Sequence, residues 1–174
     1  EELRGTVLPF SYNDYEGLAK LVEANDIGVI KMEVSRNFGP ENNFLEKVRE
    51  LATSRGIVLI FDECTSGFRE TFGGLHKLYG VEPDMAMFGK AMGNGYAITA
   101  VIGRREVMES AQTSFISSTF WTERIGPTAA LKTLEVMERT QSWEIVTKIG
   151  RDVSARWRSL ASDHQLAITT AGLS

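Results

Sequence analysis

Four short apolar runs, at residues 27–32, 57–61, 85–88 and 97–102, constrain what this chain can fold into. Each is too short for a buried helix and long enough for a strand. Between and beside them lie segments with apolar residues at helical spacing. Residues 13–24 carry Tyr15, Leu18, Leu21 and Val22 on one face. Residues 43–55 carry Phe44, Val48, Leu51 and Ala52, followed by Gly56, a natural helix stop. The run 57–61 has no polar interruption, the pattern of a strand covered on both faces in a parallel sheet. Strand–helix alternation of this kind predicts an α/β three-layer sandwich with a mostly parallel sheet.

Other segments are read more locally. Residues 6–9 suit a short strand, and 72–79 a short helix closed by Gly80. A short helix is expected over 105–112, then a longer one over 125–139 with Ala129, Leu131, Leu134 and Met137 turned inward. Trp143, Val146, Ile149, Val153, Trp157 and Leu160 recur at intervals of three and four, so 142–162 reads as one long helix. Residues 164–174 look like the opening of a further unit.

The totals exclude several classes. At 174 residues, 43% hydrophobic and 24% charged, the chain suits one globular domain with a proper core. A net charge of −4 gives no electrostatic reason to expect nucleic acid or an anionic membrane. No apolar run approaches the roughly 20 residues that span a bilayer. Cys64 is the only cysteine, so no internal disulfide is possible; with only His76 and His164 beside it, a structural zinc site is not expected. No signal-like start is present, which makes the cytoplasm the default compartment. The opening Glu1-Glu2-Leu3 suggests a piece of a longer protein.

In open α/β sheets, ligands bind beyond the carboxyl ends of the strands. Asp62 directly follows the run 57–61, and Lys90 follows 85–88 after one glycine. Parallel strands would deliver both to the same rim. Taken singly, Asp62 also suits a turn cap and Lys90 a solvated surface lysine, and the two together suit a plain ion pair. A carbonyl cofactor gives the pair a chemical use. Burial of Lys90 beside Met87, Phe88 and Met92 would favour the neutral, nucleophilic amine. An anion such as Asp62 beside a pyridine nitrogen would keep that nitrogen protonated and able to accept electrons. Gly93 and Gly95 would let the backbone turn tightly around such a group. The run from Gly89 to Gly95 fits neither dinucleotide-fold nor P-loop spacing, which sets a nucleotide-binding reading aside.

The residues Asp62-Glu63-Cys64-Thr65-Ser66-Gly67-Phe68-Arg69, then Pro83-Asp84 and Gly89-Lys90, resemble the pyridoxal-phosphate signature of the class III aminotransferases. Within that group the chain is most similar to the glutamate-1-semialdehyde aminomutases and their relatives. The resemblance runs from about Val7 past Met137. It implies a fold-type I enzyme using pyridoxal 5'-phosphate, with Lys90 as the residue that forms the internal aldimine (a Schiff base) and shuttles the proton. It implies Asp62 as the partner of the pyridine nitrogen. Cys64 stands where the family usually has a valine packed on the ring; without a histidine partner, a catalytic thiol is the lesser reading. Glu63 and Glu33 match recurrent acids that position the site or the substrate.

Thr119, in Ser117-Ser118-Thr119, matches the threonine that reaches the cofactor phosphate of the neighbouring subunit. That implies a homodimer with shared active sites. The chain then departs from the family's usual Ser-Gly-Asn-Pro: it runs a few residues longer to Pro127, and Trp121 and Arg124 there suit either an anionic or sugar-like substrate group or a dimer interface. Family members are more than twice as long. By the same resemblance, residues 1–163 form the central part of the cofactor-binding large domain, and 164–174 begin the small domain. The expected activity is transfer of an amino group from a small-molecule donor to an aldehyde, keto acid or keto-sugar acceptor. Intramolecular 2,1-transfer, or a non-catalytic protein that keeps the fold, are the alternatives.

Overall fold

The computed structural model describes residues 5–116, 120 and 122–173. Its centre is a four-stranded sheet in the order β1 (Val29–Glu33), β2 (Val58–Asp62), β3 (Met85–Phe88) and β4 (Ala100–Gly103). The first three strands run parallel, and β4 returns antiparallel to β3. The mixed α/β architecture with a mostly parallel sheet is therefore as the apolar runs predict. The fourth run forms a strand only from Ala100, after a turn over residues 93–96 in which Tyr96 N–H donates to Gly93 O at 3.0 Å.

Pleating sends alternate residues of each strand to opposite faces. Ile30, Met32, Leu59, Phe61, Ala86 and Phe88 occupy one face and are buried. Against Leu59 and Phe61 pack Phe44, Leu45, Val48 and Ala52 of α2 (Phe44–Arg55), with Leu18 and Val22 of α1 (Tyr15–Ala24) in the same cluster. Burying each such large side chain contributes about 1.5–3 kcal/mol. Asp14 accepts from Gly17 N–H and starts α1. Gly56, at φ +66°, ends α2 by donating to Ala52 O and Thr53 O. The opposite face, carrying Lys31 and Glu33 of β1, Asp62 of β2 and Met87 of β3, is the more open one.

Several local expectations are corrected. Residues 6–9 form no strand, and the helix expected over 72–79 is one 3-10 turn at Leu75–Leu78. The helix expected over 105–112 splits into α3 (Arg105–Met108) and a 3-10 segment, Glu109–Thr113. In α4 (Ile125–Thr140), Gly126 and Ala130 are buried, Ala130 packed with Ala86, Phe88 and Met92; Leu131, expected inward, is 71% exposed. One residue of helix is a 100° rotation, so an apolar residue beside the buried one points away.

The long helix α5 (Ser142–Asp163) forms as the periodicity predicts. Trp143 packs on Phe72 at 5.3 Å between ring centroids. Val146, Ile149, Val153, Trp157 and Leu160 nevertheless lie on the surface. After α5 the chain folds back, Leu166 N–H donating to Ala161 O at 2.8 Å and Gly172 N–H to Asn37 O at 3.0 Å.

Candidate active site

Two adjacent parallel strands end side by side and deliver the site. Asp62 is the last residue of β2; Lys90 lies two residues beyond β3, across the Gly89 turn. A Cβ on Gly89 would meet Thr99 Cγ2 at 3.4 Å and Cys64 Sγ at 3.5 Å, so the turn runs close beneath the residue that follows Glu63. Lys90 stands at φ +42°, in the left-handed region that side chains rarely adopt. Its Nζ donates to Thr65 Oγ1 at 2.6 Å.

Lys90 is exposed, which corrects the expectation of burial beside Met87, Phe88 and Met92. Phe88 and Met92 belong to the buried cluster with Ala130, while the left-handed turn points the lysine away from it. It projects into an open cavity of about 580 Å³ whose walls include Tyr96, Thr99, Phe120 and Glu123. Glu123 also accepts from Ile125 N–H and from Gly126 N–H, the latter at 3.1 Å, so it caps the start of α4 at the cavity wall.

Asp62 is held by two donors. Lys31 Nζ lies 2.8 Å from its Oδ2, and Cys64 N–H donates to Oδ1 at 3.1 Å. Partial burial pulls this carboxyl upward. The Lys31 and Cys64 hydrogen bonds with the Lys31 charge outweigh it, and the group is held below the usual carboxylate range. Asp62 is thus an anion at neutral pH. Cys64 responds to the same groups: burial and then the Asp62 charge push its thiol up, against smaller downward pulls from Lys90 and Lys31. A thiol so protonated is a poor nucleophile.

Glu63 turns to the core side and is fully buried. It accepts from Ser66 Oγ, from His76 N–H at 3.0 Å, and shares a hydrogen with His76 Nδ1 at 2.8 Å. Burial pulls its carboxyl up, and these donors more than reverse that. It anchors the turn that carries Asp62, Cys64 and Thr65. Arg69 Nε donates to Thr65 O at 2.5 Å from the other end of that turn. Glu33 pairs in register with Asp62; its Oε1 accepts from Arg36 at 3.0 Å, and its Oε2 is buried without a partner among the described residues. Thr119 and Trp121 lie outside the described residues.

Two participants escape a reading of the sequence alone. Thr65 looks like any turn threonine until Lys90 is seen to donate to it. Lys31 interrupts an otherwise apolar run, and that interruption is the one signal of its role. No group of three or more His, Cys, Asp or Glu suited to a metal occurs among the described residues. No helix among them is long and apolar enough to cross a membrane.

An ionised carboxylate at one strand end, an amine in an open cavity at the next and a neutral thiol close to both fit the needs of pyridoxal 5'-phosphate. Comparison with known proteins agrees. The family model described as "Aminotransferase class-III" matches residues 36–172. The chain is 39% identical to the 3-aminobutyryl-CoA aminotransferase of Cloacimonas acidaminovorans, over 95% of the chain and 42% of that protein. It is 38% identical to the glutamate-1-semialdehyde 2,1-aminomutase of Sulfolobus acidocaldarius, over 82% of the chain and 36% of that protein. The chain thus spans about two-fifths of the length of these relatives. Among solved structures, the internal aldimine form of FumI from Sphingopyxis sp. MTA144 superimposes with a TM-score of 0.91 at 25% identity, covering 96% of this chain and 42% of that one. With the match extending across most of its residues, the chain belongs to the class-III aminotransferase family.

Proposed function

We propose that the protein is a pyridoxal-phosphate-dependent transaminase that carries an amino group from a small-molecule donor to an aldehyde, keto acid or keto-sugar acceptor. The observation that carries this reading is the delivery of Asp62 and Lys90 to one rim by the adjacent parallel strands β2 and β3. When bound, the cofactor supplies a sink for the electron pair left by breaking a C–H bond next to nitrogen. Asp62, kept ionised, sets its negative charge against the ring nitrogen. Cys64 presents an uncharged thiol to the ring. With the cofactor bound, Lys90 Nζ would be the group that holds it covalently and, once freed, would move a proton as general base and acid. Thr65 Oγ1, 2.6 Å away, orients that nitrogen in both duties. Glu63 positions by fixing the turn, and Glu33 stands one strand away from Asp62 on the substrate side.

Thr119 contributes to the phosphate site of a second subunit, so the enzyme works as a homodimer with shared sites. Residues 1–163 then form the middle of the large domain and 164–174 lead into the small one. Trp121 and Arg124 would serve either substrate recognition or the subunit contact. A single free cysteine suits a reducing, cytoplasmic setting. Intramolecular 2,1-transfer is the second reading, favoured by the 38% identity to an aminomutase. Both readings use Lys90 and Asp62; they differ in whether turnover needs a separate amino donor.

The test is an absorbance spectrum of the full-length protein with added pyridoxal phosphate, then borohydride reduction and peptide mapping. The expected result is a yellow species lost in Lys90→Ala, with the reduced adduct on Lys90. Absence of the band in the intact protein would overturn the reading and favour a non-catalytic member of the fold.

A further inference from the structure

Lys31 is out of place by composition. The run 27–32 is otherwise apolar apart from Gly28, and a cation within such a strand requires a use. Its Nζ sits 2.8 Å from Asp62 Oδ2, and its side chain is about half exposed. The strand register explains the reach: Lys31 pairs with Ile60 and Glu33 with Asp62, so the lysine extends along the sheet by two residues to the carboxylate.

We infer that Lys31 moderates Asp62: it is a positioning residue that sets how much negative charge Asp62 offers to the cofactor's ring nitrogen. This rests on the reading of Asp62 as the partner of that nitrogen. A carboxylate has about four lone-pair sites. Lys31 takes one on Oδ2 and Cys64 N–H one on Oδ1. A protonated ring nitrogen must then share the carboxylate with an ammonium group. Two cations on one carboxylate repel each other, so Lys31 opposes the protonated ring and makes Asp62 a weaker base.

The rival role is a clamp, in which Lys31 helps only by fixing the carboxylate rotamer. Cys64 N–H already provides a second hold, so losing Lys31 frees little. At an effective dielectric near 20, charges about 5 Å apart interact strongly, and the half exposure of Lys31 reduces this to an effect of about tenfold. The charge effect therefore exceeds the rotamer effect. The other charged groups around the pair are Glu33, whose Oε1 is occupied by Arg36, and Lys90, whose influence reaches Cys64 between them.

The experiment measures affinity for pyridoxal phosphate and for its 1-deaza analogue, in which the ring nitrogen is a C–H. It uses full-length wild type, Lys31→Met, Lys31→Arg and Asp62→Asn, with Lys31→Gln should the Met variant not fold. Lys31→Met is expected to raise the preference for the natural cofactor over the analogue by about tenfold, leaving affinity for the analogue unchanged. Lys31→Arg should restore the wild-type ratio, because it keeps the charge. A loss of packing would change both affinities alike. An unchanged ratio overturns the inference, and a fall in the ratio overturns it in favour of the clamp. A second readout needs no cofactor: carbon NMR titration of the Asp62 carboxyl should move upward in Lys31→Met, and no movement refutes the moderation. Should wild type fail to bind the cofactor, or Asp62→Asn leave the preference intact, the reading of Asp62 falls and takes this inference with it. Should those controls behave and Lys31→Met alone change nothing, only the role of Lys31 falls.

Discussion

At Lys90 the backbone stands at φ +42°, a conformation that costs a residue with a side chain about 1–2 kcal/mol. Glycine escapes that cost. Lys90→Gly is therefore expected to unfold at a higher temperature than Lys90→Ala, by the equivalent of about 1 kcal/mol, while both lose covalent cofactor; equal melting points would refute the strain. Thr65→Val keeps the shape of the turn and removes the acceptor for Lys90. It should lower kcat about tenfold with KM little changed, since it disturbs the lysine that moves the proton. Gly67 belongs to a different class, because an added Cβ would lie 2.7 Å from both Phe88 Cδ1 and Glu63 O. Gly67→Ala should cost about 1–3 kcal/mol in a denaturant melt. The placement of Asp62 and Lys90 at neighbouring strand ends was legible in the sequence, because Asp62 directly ends one apolar run and Lys90 follows another after a single glycine. The Lys90–Thr65 and Lys31–Asp62 contacts were not, since each joins residues 25 or 31 positions apart that only strand pairing brings together.

Among the elements, β2 is the most heavily constrained. Asp84, buried just before β3, accepts from Leu59 N–H at 2.8 Å and pairs with Arg49 of α2 at 2.8 Å and with Arg104 at 3.0 Å. One carboxylate thus ties a helix, two strands and the β4–α3 turn together. Burial raises its pKa, but the Leu59, Arg49 and Arg104 hydrogen bonds outweigh this and hold it below the ordinary carboxylate value of 3.8. A group depressed on folding stabilises the fold above its unfolded pKa and loses that contribution as pH falls through the folded one. Asp84→Asn should be less stable by about 3 kcal/mol at neutral pH, the cost of leaving a mostly buried arginine unpaired. The gap to wild type should narrow as pH falls below 3.8, read by urea melts across the acid range. Strands and long helices were readable from periodicity. The 3-10 turn at Leu75–Leu78 was not, because it is held by Glu63, a residue 13 positions before His76, and not by its own pattern.

Over the whole molecule, the proposed shared site has a distinctive genetic signature. A mixture of Lys90→Ala and Thr119→Ala subunits should regain activity on reassociation, because one of the two sites in a hybrid dimer is then intact. Sites confined to single subunits would give no recovery in the mixed population. The existence and extent of α5 were legible while its surroundings were not: a stripe at three- and four-residue spacing says that a face wants burial and is silent about its partner. That stripe also supplies an optical handle. Trp157 is 58% exposed within it, so its emission should sit towards the red, as for an indole in water. Whatever comes to cover α5 would shift that emission to the blue, allowing assembly to be timed by stopped-flow fluorescence with no label added.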